Sequence, residues 1–82
     1  MIRVAIVEDN QTIREGLAAL IHGTNGYSCK HIYSNCENFL SDKEIMNFDV
    51  VLMDIGLPGM NGIEGVIIAK KINPALNILM LT

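Results

Sequence analysis

The chain has 82 residues, half of them hydrophobic, and a formal net charge of −3 at pH 7. This length allows one domain at most, spanning residues 1–82, and the apolar content is sufficient for a core. The negative charge argues against a nucleic-acid surface within these residues. There is no run of roughly 20 apolar residues and no secretion-signal pattern at the N-terminus, so we expect a cytoplasmic protein without membrane contact.

Strand and helix signals alternate along the first half of the chain. Residues 2–7 form a nearly continuous apolar run, which is typical of a strand buried on both faces. Asn10 is a suitable N-cap for a helix over residues 11–22. A weaker and more polar strand at 27–33 suits the edge of a sheet. The stripe that the first helix is expected to bury consists of Ile13, Leu17, Leu20 and Ile21.

The same alternation continues in the second half. The predicted elements are a helix over 36–46, a strand at 49–53, a helix over 62–72 and a strand at 77–82. Ser34 or Asn35 caps the first of these helices, which buries Phe39, Leu40 and Ile45. The order β-α-β-α-β-α-β, with right-handed crossovers, predicts an α/β fold around a parallel sheet.

Three acidic residues follow two of these strands. Glu8 and Asp9 come directly after the first strand, and Asp54 follows the third. In an open parallel sheet the functional crevice lies beyond the carboxyl ends of the strands. We therefore expect the three carboxylates to meet in one pocket that binds a divalent cation, with Asp54 as the nucleophile that attacks a phosphoryl group.

Mg²⁺ is the cation that suits this donor set, because it prefers carboxylates, waters and phosphate oxygens. We expect Asp9 and Asp54 to bind it directly, Glu8 through a water, and the main-chain carbonyl of Gly56 to add a further ligand. Thr82, at the end of the fourth strand, is placed to hydrogen-bond a phosphoryl oxygen on Asp54. The alternative for Glu8 and Asp9 is that they only favour the start of the first helix.

Four motifs, in this order and spacing, resemble the receiver domain of bacterial two-component response regulators. They are Val7-Glu8-Asp9-Asn10, Leu52-Met53-Asp54, Leu57-Pro58-Gly59-Met60-Asn61-Gly62 and Leu79-Met80-Leu81-Thr82. The segment Arg14-Glu15-Gly16-Leu17 is similar to receivers whose regulators carry a LuxR-type helix-turn-helix output domain.

The resemblance implies a flavodoxin-like, CheY-like fold with strand order 2-1-3-4-5. It implies that Asp54 is the phosphoacceptor, that Glu8 and Asp9 are the acidic pair for Mg²⁺, and that Thr82 is the switch hydroxyl. The phosphoryl donor would be a sensor histidine kinase or a small acyl phosphate. In the full-length protein the receiver would control a DNA-binding output domain and thereby transcription.

The chain departs from the family in its length. A complete receiver continues through a fourth helix, a fifth strand with a lysine and a fifth helix, so we expect 1–82 to be a truncated receiver domain. Neither Lys70 nor Lys71 replaces that lysine, because both lie at the end of the third helix. The apolar fourth strand would then be an exposed edge, and we expect the chain to self-associate through it.

Two other classes of function are open. An aspartyl-nucleophile phosphatase usually has a second Asp two residues after the first, where this chain has Gly56, so we expect no enzymatic turnover. A flavodoxin-like ligand-binding module needs a phosphate-cradling loop after the first strand, where Glu8 and Asp9 would repel phosphate. Two histidines and two cysteines outside these motifs could suggest a chemical role, but we expect structural roles for all of them. They are His22, His31, Cys29 and Cys36.

Overall fold

Strands and helices alternate along the chain in the computed structural model, which describes residues 1–81. The elements are β1 (Ile2–Val7), α1 (Gln11–His22), β2 (Tyr27–Tyr33), α2 (Cys36–Ser41), a 3-10 helix (Lys43–Asn47), β3 (Val50–Asp54), α3 (Gly62–Ile72) and β4 (Asn77–Leu81). The strands form one parallel sheet in the order β2-β1-β3-β4. The predicted α/β class and flavodoxin-like strand order are confirmed, with β2 at an edge.

The central strands bury side chains on both faces of the sheet, which explains their continuous apolar sequences. In β1, Ala5 and Val7 belong to the larger core, whereas Val4 and Ile6 belong to a smaller core on the opposite face. The larger core is completed by Cys36, Phe39, Ile45, Phe48, Val51, Met53, Leu57, Ala69 and Leu76. The smaller core is completed by Ala18, Cys29 and Leu52.

The bounds and the cap of α1 agree with the sequence prediction, but its predicted buried stripe is wrong in part. Asn10 is the N-cap, and its side chain accepts a hydrogen bond from the Ile13 amide at 3.0 Å. Ile13 is 49% exposed and Leu20 is 72% exposed. The packed face of α1 is centred on the small residue Ala18, with Leu17 and Ile21 beside it. The helix is therefore rotated about its axis relative to the prediction.

The predicted helix over 36–46 is in fact two shorter helices. Asn35, rather than Ser34, is the N-cap of α2, which ends at Ser41. Asp42 has an extended backbone, and its Oδ1 accepts a hydrogen bond from the Glu44 amide at 2.9 Å, so it caps the 3-10 helix that follows. The residues predicted to face inward do so: Phe39 and Ile45 are buried and Leu40 is half-buried.

The third strand begins and ends one residue later than the prediction of 49–53. Asp49 lies before β3, and its Oδ2 accepts a hydrogen bond from the Arg3 amide at 2.8 Å. Asp54 is the last residue of β3. The predicted bounds of α3 are confirmed, and Asn61 caps it by accepting a hydrogen bond from the Glu64 amide at 2.9 Å. In the described part of the chain, no helix has both the length and the apolar character needed to cross a membrane.

Candidate metal centre

The three predicted acids lie together at the carboxyl end of the sheet. β1 and β3 are adjacent parallel strands in which Val7 pairs with Met53, so the residues that follow each of these meet at the same edge. Glu8, Asp9 and Asp54 each offer a carboxylate oxygen, and these oxygens lie within 4.8 Å of one another. The register of two strands thus brings together residues that are far apart in the sequence.

Glu8 is the buried member of the three, with 8% of its surface exposed. Its Oε2 accepts a hydrogen bond from the Asn10 amide at 3.0 Å, and its own amide donates to the Tyr33 carbonyl at 3.0 Å. Burial raises the pKa of the Glu8 carboxyl above its ordinary value, the hydrogen bond from Asn10 opposes this rise, and the neighbouring Asp9 and Asp54 add to it. Within residues 1–81 none of the three acids forms an ion pair with a basic side chain.

Asp54 is held from two directions. Its Oδ1 accepts a hydrogen bond from the Gly56 amide at 3.1 Å. Behind it, Gly62 begins α3 so close to the Asp54 carbonyl that a Cβ at position 62 would overlap it. The Gly62 amide also donates to the Ile55 carbonyl at 3.2 Å, which closes the loop between β3 and α3. The absence of a side chain at Gly62 is therefore a requirement of the site.

The loop between β3 and α3 contacts α2 as well. Leu57 is buried in the larger core, and the Met60 amide donates to Glu37 Oε2 at 3.4 Å. Gly59 has a positive φ of 71° and lies against the Glu37 carboxylate. Gly56 contacts the site through its amide, which donates to Asp54 Oδ1. The ligand role of its carbonyl stays a prediction. The role predicted for Thr82 lies outside the described residues.

The basic and nucleophilic residues considered from the sequence lie elsewhere. Lys70 donates through Nζ to the carbonyls of Pro74 and Leu76 at 2.7 and 2.9 Å, at the far end of α3 from Asp54. His22 Nδ1 accepts a hydrogen bond from the Cys29 amide at 3.1 Å. His31 Nδ1 lies 3.9 Å from Asp42 Oδ2. Cys29 and Cys36 are free and buried, which agrees with a structural role for both.

Arg14 is a contact of the site that the sequence interpretation missed. Its Nη1 donates to the main-chain carbonyl of Glu8 at 2.8 Å and to that of Asp9 at 3.3 Å. The sequence contains one signal for this contact. A cation in the first turn of a helix faces the positive end of the helix dipole, so it is expected only where the side chain has another partner.

Comparison with known proteins identifies the family. Residues 4–82 match the family model described as the response regulator receiver domain. The chain belongs to this family. The transcriptional regulatory protein LnrK of Bacillus subtilis is 33% identical over 82 residues, which is 100% of this chain and 37% of that protein. The response regulator GacA of Pseudomonas viridiflava is 28% identical over the whole chain and 38% of its own length. The chain thus spans less than two-fifths of these curated relatives.

Solved structures of response regulators have the same fold as this chain. A LuxR-family two-component response regulator from Aurantimonas superposes with a TM-score of 0.85 at 29% identity, covering 95% of this chain and 56% of that one. A CheY-like receiver domain from Methanospirillum hungatei gives a TM-score of 0.79 at 30% identity, covering 98% and 62%. The chain is therefore a CheY-like receiver domain with a phosphoacceptor role in two-component signalling.

The family also bears on metal binding and catalysis. Receiver domains bind Mg²⁺ in their acidic pocket, which is where Glu8, Asp9 and Asp54 lie. Most receiver domains are not enzymes themselves, although they occur in proteins named as enzymes. A protein-glutamate methylesterase of Burkholderia thailandensis, for example, is 33% identical over 64 residues, which is 78% of this chain and 18% of that protein.

Proposed function

We propose that Asp54 accepts a phosphoryl group from a sensor histidine kinase, or from a small acyl phosphate, in a reaction that depends on Mg²⁺. The observation that supports this most is the grouping of Glu8, Asp9 and Asp54 within 4.8 Å at two adjacent strand ends. We propose further that residues 1–82 act as one receiver unit, and that the full-length protein carries a LuxR-type DNA-binding output domain.

The donor set fits Mg²⁺. Three carboxylates converge, and among residues 1–81 no basic side chain pairs with them to balance their negative charge. Burial also raises the pKa of the Glu8 carboxyl, so its charged form is disfavoured. We propose Asp9 and Asp54 as direct ligands, Glu8 as a ligand through water, and the Gly56 carbonyl as a further oxygen donor. When bound, Mg²⁺ offsets the negative charge of the carboxylates and of the incoming phosphoryl oxygens.

The chemical step is carried by the Asp54 carboxylate. One of its oxygens forms a bond to phosphorus while the bond from phosphorus to the donor breaks, and the electron pair of that bond leaves with the donor group. The hydrogen bond from the Gly56 amide fixes Oδ1 at 3.1 Å and so orients the carboxylate for the transfer. We propose that the Thr82 hydroxyl then donates a hydrogen bond to a phosphoryl oxygen on Asp54.

We propose that the chain itself is not an enzyme with turnover. The position two residues after Asp54, where an aspartyl-nucleophile phosphatase has its second Asp, is Gly56. Glycine has no side-chain proton to donate to a leaving group. The expected product is therefore one acyl phosphate on each chain.

The test is labelling with acetyl phosphate and Mg²⁺, followed by intact-protein mass spectrometry. Wild type is expected to gain one phosphoryl group, and Asp54→Asn none, because the amide keeps the shape of the carboxylate but is not nucleophilic. Asp49→Asn is the matched control, since Asp49 precedes the same strand at its other end. Labelling that persists in Asp54→Asn, or in excess chelator, would contradict the proposal.

We propose in addition that the chain of 82 residues self-associates through β4. Within residues 1–81, β4 pairs only with β3, so its other edge presents unpaired amides and carbonyls. Leu79 on this strand is 56% exposed. An exposed apolar edge strand favours pairing with a second chain.

A further inference from the structure

Arg14 lies in a position that its charge alone does not favour. It is in the first turn of α1, where the aligned peptide dipoles leave a partial positive charge, and no acidic residue accompanies it there. The guanidinium turns back from the helix towards the end of β1. Its Nη1 donates to the Glu8 carbonyl at 2.8 Å and to the Asp9 carbonyl at 3.3 Å. A hydrogen bond from a charged donor is stronger than one between neutral groups, so these contacts offset the unfavourable position in the helix dipole.

The partners of Arg14 are main-chain atoms, not the carboxylates. Within residues 1–81, Arg14 forms no ion pair with Glu8, Asp9 or Asp54. Its contact therefore does not neutralise the negative charge of the three carboxylates. It fixes the two peptide units from which Glu8 and Asp9 project, in the short connection between β1 and α1.

The other contacts on this connection hold Glu8 more firmly than Asp9. Glu8 is held by its amide, which donates to the Tyr33 carbonyl, and by its side chain, which accepts from Asn10. Asp9 is exposed. The peptide group that follows Asp9 is held at both of its polar atoms, because its carbonyl accepts from Arg14 Nη1 and its amide, that of Asn10, donates to Glu8 Oε2.

We infer that Arg14 is a positioning residue of the metal centre, which holds the main chain of Glu8 and Asp9 so that their carboxylates stay grouped with Asp54. The inference rests on the proposed function of the acidic site. Groups that orient metal ligands without touching the metal commonly change its affinity by 10- to 100-fold when removed. We expect the low end of this range, because Arg14 acts on the backbone.

The sign of the effect separates positioning from simple electrostatics. Arg14→Met removes a positive charge near three carboxylates, so Coulomb's law alone predicts tighter binding of a cation. Loss of positioning predicts weaker binding. Arg14→Lys keeps the charge but replaces the planar Nη1 amino group by a freely rotating ammonium on a flexible stem, which holds two successive carbonyls less rigidly. It is therefore also expected to weaken binding.

The experiment is a Mg²⁺ titration of the 82-residue chain followed by amide NMR. We expect about tenfold weaker Mg²⁺ binding in Arg14→Met and a smaller loss in Arg14→Lys. Arg3→Met is the matched control, because the Arg3 side chain pairs with Glu44 near the start of β1. In the metal-free protein, the Asn10 amide should exchange its hydrogen faster in Arg14→Met, while amides in the centre of β3 keep the wild-type rate.

Two results would overturn the inference, and they differ in what they say about the site. If wild type binds Mg²⁺ and both Arg14 variants bind it equally well or more tightly, the positioning role is wrong and the proposed function stands. If wild type shows no Mg²⁺-dependent shifts at Glu8, Asp9 and Asp54, both are wrong. If Arg14→Met does not fold, the wild-type affinity of a folded Arg14→Lys would equally overturn the inference.

Discussion

A single carboxylate, that of Asp42, joins β2 to the region after α2. Its Oδ2 accepts a hydrogen bond from the Tyr33 hydroxyl at 2.6 Å, and its Oδ1 accepts from the Glu44 amide. These hydrogen bonds lower the pKa of Asp42 below its ordinary value, and the one from Tyr33 has the largest effect. The nearby His31 acts in the same direction. Burial and the same carboxylate raise the pKa of the Tyr33 hydroxyl, so Tyr33 stays a donor at neutral pH.

The contact of Tyr33 with Asp42 predicts a contribution to acid sensitivity. Because the folded pKa of Asp42 lies below its unfolded value of about 4, Asp42 stabilises the fold above that pH and loses this contribution as the pH falls through the folded pKa. Tyr33→Phe removes the main cause of the lowered pKa. Thermal unfolding followed by circular dichroism should therefore show a lower Tm at neutral pH and a smaller fall in Tm below about pH 4.

Tyr27→Phe is the control for this experiment, because within residues 1–81 the Tyr27 hydroxyl makes no hydrogen bond. Its profile should follow that of wild type. An acid-induced fall in Tm as large in Tyr33→Phe as in wild type would show that Asp42 does not depend on this hydroxyl.

Two glycines inside helices illustrate how the packing of an element decides the effect of a residue. Gly16 lies in α1 with no atom within 4 Å of where a Cβ would be. Gly65 lies in α3, where a Cβ would come within 2.5 Å of the sulfur of Cys36, the fully buried first residue of α2. The two glycines have the same helical propensity but different neighbours, so only Gly65 is required for helix packing.

Alanine at these positions should change stability in opposite directions. Gly16→Ala should raise the free energy of unfolding by about 0.5–1 kcal/mol, because alanine loses less backbone entropy in a helix. Gly65→Ala should lower it by about 1–3 kcal/mol, because α2 and α3 must move apart. Urea unfolding of both variants tests this pair, and a stabilised Gly65→Ala would mean that the contact with Cys36 relaxes freely.

The elements that were predicted best are those whose sequence depends on local chemistry. Asn10 and Asn35 cap helices through their own side chains, and the apolar run before Glu8 is buried on both faces, so a short window contains the information. The face of α1 and the break at Asp42 depend on partners distant in sequence. Leu20 was expected to be buried because hydrophobic spacing cannot show which side of a helix meets the sheet, whereas Ala18 fits there because it is small.

The same distinction applies to the site. Glu8, Asp9 and Asp54 follow apolar strands, so their grouping was predictable once the strands were assumed parallel and adjacent. Arg14 was not predictable in this way, because its partners are main-chain carbonyls, which every residue has. A contact of this kind becomes visible only when the angle between β1 and α1 is known.

At the scale of the whole molecule, the two faces of the sheet are unequally covered. Among residues 1–81, one face is packed by α2, the 3-10 helix and α3, and the other by α1. Beside α1 there is an apolar cavity of about 370 Å³ lined by Val4, Ile21, Thr24, Tyr27, Val50 and Leu52. The exposed edge of β4 adds to this apolar surface. These apolar surfaces favour association of the 82-residue chain, whereas its net negative charge opposes it.

The self-association proposed above leads to a prediction for sedimentation. Wild type at tens of micromolar should sediment as a species larger than the monomer. Leu79→Lys should weaken the association on the order of tenfold, about 1.4 kcal/mol, because a charged edge strand resists pairing. Leu20→Lys is the control, since Leu20 is 72% exposed but lies on α1. A monomeric wild type, or equal effects of the two variants, would contradict pairing through β4.

The hydrogen bond between the Gly62 amide and the Ile55 carbonyl joins the two ends of the loop between β3 and α3. The loop between them is fixed in turn by Leu57, which is buried in the larger core, and by Asn61, which caps α3. A substitution in this loop that keeps Leu57, Gly59 and Asn61 should therefore alter the surroundings of Asp54 without changing how α3 packs.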